Sequence, residues 1–284
     1  MKFIPQQPFV LPCTDRRSDT AVLFLHGITE GPDQFRRPAA WANDLGFDAA
    51  AAVLPGHGGS AGTFARSGRE EWEAFVHSLT DEYRLRYPRL ILVGHSMGGL
   101  LALRTWTRRP DGIAGIVCVG CPLHVWVSTR AVRDLLGVRY GRADASDERL
   151  AILHALNVAP GPTPGYVRWL PRLRDLFTLM ADVRRELPSV RVPLLAVQGA
   201  RDELVDARRS LRCFRRRVAP EFLRTLVLPQ TTHFLYPPTD AAALREAFRT
   251  FCRSLQEEHP ALMTTTYLPV AENLESKTPF CVHT

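Results

Sequence analysis

Arg89-Leu90-Ile91-Leu92-Val93-Gly94-His95-Ser96-Met97-Gly98-Gly99-Leu100-Leu101-Ala102-Leu103 decides how the rest of the chain is read. Leu90 to Val93 is a short unbroken apolar run, the pattern of a strand buried on both faces of a parallel sheet. From Met97 onward the apolar residues suit a buried helix, with no turn signal before Arg108-Arg109-Pro110. Between the two lies Gly94-x-Ser96-x-Gly98, the spacing of a nucleophile elbow. There the chain reverses within a few residues while holding a serine in a strained backbone conformation. Side chains two before and two after the serine would collide, so both positions need glycine. The hydroxyl is then presented at a helix N-terminus, where backbone N–H groups favour developing negative charge. Gly58-Gly59-Ser60-Ala61-Gly62 has the same five-residue spacing. It sits in a glycine-rich stretch with no helical pattern after it and reads as a loop, so context selects Ser96.

Working outward, Thr20 to Leu25, Ala49 to Leu54, Ile113 to Val119, Pro193 to Gly199 and Leu223 to Leu228 read as further strands. Helical patterns lie between them over 32–45, 70–86 and 208–218, and a closing helix over 240–255 carries Leu244, Phe248, Phe251 and Leu255 on one face. Alternating strands and helices predict an α/β fold with a mostly parallel sheet covered on both faces. Residues 1–19 leave an edge strand open. Residues 123–188 break the rhythm with proline and glycine punctuation and helices but no core strand. A helix with Leu170, Leu173, Leu176, Phe177, Met180, Val183 and Leu187 at helical spacing lies within them. The expected organisation is a core over 1–122 and 189–256, an inserted helical cap over 123–188, and a loosely packed tail over 257–284.

At 284 residues and 45% hydrophobic content the chain can bury one large core. No internal repeat and no membrane-spanning run is present, and Met1 to Pro12 has no apolar stretch of signal-peptide length. A cytoplasmic location is the expectation. The net charge of +7 rests almost wholly on arginines interleaved with acids, the lysines being Lys2 and Lys277. That describes solvated helix faces, not a nucleic-acid surface. The six cysteines show no framework spacing. Cys118-x-x-Cys121 stands at a strand end, where residues three apart are expected on opposite faces, and no second pair completes a zinc set.

Ser96, Asp202 and His233 each follow a strand, so in a parallel sheet their side chains can converge at the C-terminal edge. In that arrangement His233 takes the proton of Ser96, while Asp202 orients and stabilises the imidazole. His26, beside the glycine turn after the first strand, reads as a loop-fixing histidine. The order serine, acid, histidine, with His26-Gly27-Ile28-Thr29, Gly94-His95-Ser96-Met97-Gly98-Gly99, Met180-Ala181-Asp182-Val183-Arg184 and Gln198-Gly199-Ala200-Arg201-Asp202, resembles the α/β-hydrolase superfamily. Within it the resemblance is to bacterial carboxylesterases and monoacylglycerol lipases, over roughly residues 20–256.

The resemblance implies hydrolysis of a small-molecule acyl ester through an acyl-serine, with no cofactor, and a small helical cap between the sixth and seventh strands of that fold. It also implies an oxyanion hole from the backbone N–H groups of Ile28 and Met97. Two departures stand out: Ile28 replaces an aromatic residue, and Thr232 replaces the glycine before the histidine. Trp126, Phe177 and Met180 are the expected substrate-lining residues of the cap. An acyl thioesterase, and a non-catalytic ligand-binding protein on the same scaffold, are the competing functions. Oligomeric state is not legible in the sequence.

Overall fold

The computed structural model describes residues 3–14, 19–139, 146–161 and 163–257. Among them one sheet holds β1 (Phe9–Leu11), β2 (Thr20–Leu25), β3 (Asp48–Ala51), β4 (Arg89–His95), β5 (Ile113–Val119), β6 (Leu194–Gly199) and β7 (Leu223–Leu228). Their order is β1-β3-β2-β4-β5-β6-β7, and only the edge strand β1 is antiparallel to its neighbour. The helices are α1 (Arg36–Asn43), α2 (Ala61–Arg66), α3 (Arg69–Arg84), α4 (Met97–Arg108), α5 (Thr129–Arg139), α6 (Asp147–Ala155), α7 (Leu170–Glu186), α8 (Ala207–Arg217) and α9 (Pro238–Glu257).

The unbroken apolar runs are explained by two cores, one on each face. Leu90 and Leu92 of β4 join Trp72, Val76, Leu101 and Val183, beneath α3, α4 and α7. Ile91 and Val93 point the other way, to Phe35, Phe248 and Phe251 beneath α1 and α9. Burying one such side chain contributes roughly 1.5–3 kcal/mol, so a one-residue slip of β4, which would swap its faces, is strongly disfavoured. The expected tail over 257–284 lies outside the described residues, apart from Glu257 at the end of α9.

Local chemistry moves several expected boundaries. The helix read over 32–45 is a 3₁₀ turn (Pro32–Phe35) followed by α1, because Pro32 and Pro38 each suit a first turn and lack the N–H that an uninterrupted helix needs. The strand read over 49–54 leaves the sheet early, since the Leu54 N–H donates to His26 Nε2 at 3.0 Å and not to a neighbouring strand. The glycine-rich stretch around Ser60, read as a loop, starts α2: the Ser60 hydroxyl accepts from the Thr63 N–H at 3.1 Å. That serine has ordinary extended backbone (φ −75°) and acts as an N-cap.

Between β5 and β6 the described elements are α5, α6, a 3₁₀ segment (Thr163–Trp169) and α7. They do not form one block. Leu179, Met180 and Val183 of α7 lie in the main core, and Asp182 pairs with Arg69 of α3 at 2.5 Å, while Glu186 pairs with Arg104 of α4. This helix therefore belongs to the layer covering the sheet. By contrast, α5 and α6 pack on each other, and the end of α6 is tied to the turn after β2. The Gly31 N–H donates to Ala155 O at 3.0 Å, and the Asn157 N–H to Thr29 O at 2.8 Å.

Candidate active site

The turn after β4 carries the feature that the glycine spacing demanded. Ser96 has φ 52° and ψ −122°, a region that costs a non-glycine residue on the order of 1–3 kcal/mol. A Cβ at Gly98 would overlap the Leu25 carbonyl, and one at Gly94 would overlap the backbone of Gly98 and Gly99. Glycine at both positions is thus a packing requirement of the reversal. Hydrogen bonds from the Ser96 N–H to Val119 O at 2.9 Å and from the Gly99 N–H to Ser96 O at 3.0 Å hold the strained turn.

Asp202 follows β6 and His233 follows β7, and the structure brings their side chains together: His233 Nδ1 is 2.8 Å from Asp202 Oδ2. Asp202 Oδ1 accepts from the N–H groups of Leu204 and Val205 at 2.9 and 2.7 Å. Burial favours the neutral acid, yet His233 and these N–H groups hold the Asp202 carboxyl below its usual range. For His233, burial opposes the charged form, but Asp202, Glu30 and Glu203 outweigh it and push the imidazole up to about 9. In the described structure no hydrogen bond joins Ser96 Oγ to His233, a gap common in unliganded sites.

The turn after β2, which carries Ile28, packs against the elbow, since a Cβ at Gly98 would meet Leu25 O and His26 O, and within that turn Thr29 has φ 63°. Neither the Ile28 N–H nor that of Met97, the first residue of α4, donates a hydrogen bond among the described residues. His26 and His57 brace this turn. His26 Nδ1 faces Gly27 O at 2.9 Å, and His57 Nε2 accepts from the Thr29 N–H at 3.2 Å. Burial lowers their pKa values to about 4 and about 3, so both are neutral near pH 7. The Thr232 hydroxyl, where a glycine was expected, donates to Glu148 Oε1 of α6 at 2.8 Å and accepts from the Leu235 N–H at 3.0 Å.

Glu30 and Glu203 had no assigned place in the sequence reading. Glu203 Oε2 accepts from the His233 N–H at 3.1 Å. Glu30 is buried, with Oε2 2.7 Å from His95 Nδ1 and Oε1 3.9 Å from His233 Nε2. The available signal was an acid in the glycine turn that follows the apolar run Ala21 to Leu25. Glu30, His95 and His233 are the one His/Glu group at metal-ligand spacing among the described residues. Both His95 nitrogens are already taken within the protein, Nδ1 by Glu30 Oε2 at 2.7 Å and Nε2 by His233 O at 3.1 Å, so the group reads as a hydrogen-bonded arrangement around His95.

Cys118 and Cys121 do not part to opposite faces as expected. The chain turns at Gly120 (φ 59°), and both sulfurs come to lie over Gly99, buried in the main core. Burial is also the first cause that raises the Cys121 thiol pKa, which fits an unreactive core position.

A largely apolar cavity of about 1680 Å³ adjoins the site. Leu136, Leu150 and Ala151 of α5 and α6 line it, as do Val117 and Val119 of β5. Ser96 and His233 are not among its lining residues, but Thr29, His95 and Phe234, adjacent in sequence to Ile28, Ser96 and His233, are. The expected trio Trp126, Phe177 and Met180 stands elsewhere. Trp126 is 58% exposed, with Nε1 donating to Asp202 O at 3.2 Å. Phe177 is exposed on α7, and Met180 is buried in the main core. None of the three lines this cavity; Phe177 and Met180 are held away from it because α7 packs on α3 and α4.

A family model described as "Serine aminopeptidase, S33" matches residues 16–144. A carboxylesterase of Bacillus subtilis (strain 168) is 25% identical over 207 residues, covering 72% of this chain and 80% of that protein. Among solved structures, one from a study of the metagenome-derived lipolytic enzymes LipS and LipT superposes with a TM-score of 0.67 at 23% identity, covering 87% of this chain and 97% of that one. The monoacylglycerol lipase of Paleococcus ferrophilus superposes with a TM-score of 0.61 at 19% identity, covering 86% and 98%.

Proposed function

We propose that this chain, an α/β-hydrolase of the esterase and lipase type, hydrolyses carboxylic esters with an aliphatic acyl group through Ser96, His233 and Asp202. The observation that carries the reading is a serine in a strained turn at a helix N-terminus, beside a buried histidine–carboxylate pair at 2.8 Å. His233 Nε2 takes the Ser96 proton as Oγ attacks the ester carbonyl. The oxyanion forms against the N–H groups of Ile28 and Met97, two donors with no other partner among the described residues. His233 then gives its proton to the departing alcohol, and water attacking the acyl-serine by the reverse route releases the acid.

In this reading α5 and α6 form the cap, and the adjoining cavity receives the acyl chain. Each methylene that enters an apolar pocket contributes up to about 0.8 kcal/mol, or roughly fourfold in kcat/KM. Ala151 is half-buried and lines the cavity. The nitrophenyl ester series of wild type is therefore expected to rise from acetate to an optimum chain length and then fall. Ala151→Trp should move the optimum to shorter acids, whereas Phe177→Ala, on the exposed side of α7, should leave it in place. A flat wild-type profile would remove the acyl assignment. Preference for the matched acyl-CoA thioesters would transfer the chemistry to a thioesterase.

A further inference from the structure

Two buried carboxylates, not one, face the imidazole of His233. Asp202 holds Nδ1; Glu30, side chain 1% exposed, stands opposite Nε2. The two oxygens of Glu30 are used unequally. Oε2 takes three donors: the Gly27 N–H at 2.7 Å, Gln34 Nε2 at 2.9 Å and His95 Nδ1 at 2.7 Å. Among the described residues Oε1 makes no hydrogen bond, and it lies 3.9 Å from His233 Nε2, the nitrogen to which a serine proton must be delivered. The side chain fits because residue 27 is glycine, since a Cβ there would overlap the Glu30 carboxylate.

We propose that Glu30 is a positioning residue for His233: it clamps the Ile28 turn to His95 and, as a fixed negative charge beside Nε2, sets the pH above which His233 can serve as base. The proposal rests on the Ser96–His233–Asp202 reading. The groups facing His233 from each packed element support it. Asp202 and Glu203 come from the loop after β6, Glu30 from the turn after β2, and the His95 ring, centroid 4.9 Å away, from β4. Glu148 of α6 reaches it through the Thr232 hydroxyl and is itself paired with Arg130 at 3.1 Å. Burial, then Asp202 and Glu148, push the Glu203 carboxyl up, whereas Glu30 opposes its own burial through His95, His233 and Gln34 and falls to about 2. Glu30, like Asp202, is thus held in its charged form beside the imidazole. With a carboxylate on each side, the resting imidazole keeps both protons. It must release the Nε2 proton to water before it can accept the one from Ser96, so activity rises with pH.

Measuring kcat/KM for a short nitrophenyl ester from pH 5 to 10 tests this in wild type, Glu30→Gln and Glu203→Gln. An opposite charge within about 4–6 Å is worth roughly 1–3 pH units. The wild-type midpoint is expected well above the usual histidine value. Glu30→Gln should move it down by at least about one unit, and Glu203→Gln should move it less. An unchanged midpoint in folded Glu30→Gln overturns the proposal. Titrating the His233 ring by NMR in Ser96→Ala protein, with the signal assigned through its loss in His233→Asn, needs neither turnover nor the Glu30 variant. A midpoint at or below 6.5 there also overturns it. Because that titration uses no catalysis, it separates failure of the Glu30 role from failure of the Ser96 reading.

Discussion

Ser96→Ala is expected to lower kcat/KM for any ester substrate by about 10⁴-fold or more and to abolish labelling by a fluorophosphonate probe. Losses on the order of 10⁶ in turnover are known when a serine nucleophile of this kind is removed, because every other triad group acts through it. The fold should survive. The Ser96 side chain makes no hydrogen bond in the described structure, and alanine relieves none of the glycine constraints around it. Circular dichroism and thermal unfolding of the variant check that point. Ser60→Ala is the matched control, since Ser60 has the same flanking spacing but caps α2. It should cost about 1 kcal/mol of stability or less and leave turnover unchanged. Probe labelling at Ser60, or wild-type turnover in the Ser96 variant, would move the nucleophile elsewhere.

Asp202→Asn should lower turnover by orders of magnitude, about 10⁴ in the best-measured triad, with little change in KM. Asparagine preserves the shape but removes the charge that stabilises imidazolium, and its amide N–H₂ favours the wrong histidine tautomer. The same substitution at Asp206 is the counterpart. Asp206 caps α8, its carboxylate accepting from the Arg209 N–H at 2.9 Å, and among the described residues that carboxylate makes no hydrogen bond to a histidine. Asparagine caps nearly as well, so Asp206→Asn should leave both turnover and stability close to wild type. The reverse ranking in a side-by-side assay would make Asp206 the acid.

Much of this arrangement was legible because it is written in local rules. A run such as Leu90 to Val93 can satisfy its backbone only in a ladder and its side chains only between two apolar layers, so strand and sheet class follow from it. The Gly94-x-Ser96-x-Gly98 spacing states a steric demand of one turn, and that turn has the strained backbone it implied. Asp202 and His233 directly follow strands, so the strand-end rule sufficed to pair them. Even the misread stretches failed locally: Pro38 divided a helix, and Ser60 capped one where a loop was expected.

What the sequence could not determine were choices made by partners distant in the chain. The periodicity of Leu170 to Leu187 predicted a helix with an apolar face but not which surface that face would meet. Ion pairs of Asp182 with Arg69 and of Glu186 with Arg104 placed it on α3 and α4, withdrawing Phe177 and Met180 from the cavity wall. The same limit hid Glu30. Its type and position are local, but its effect on His233 depends on a 3.9 Å approach between residues more than two hundred apart in sequence. Hydrophobic pattern and turn sterics act over a few residues and are therefore written in the chain. The docking of a helix face and the electrostatic surroundings of a buried imidazole are sums over neighbours that only the folded structure brings together.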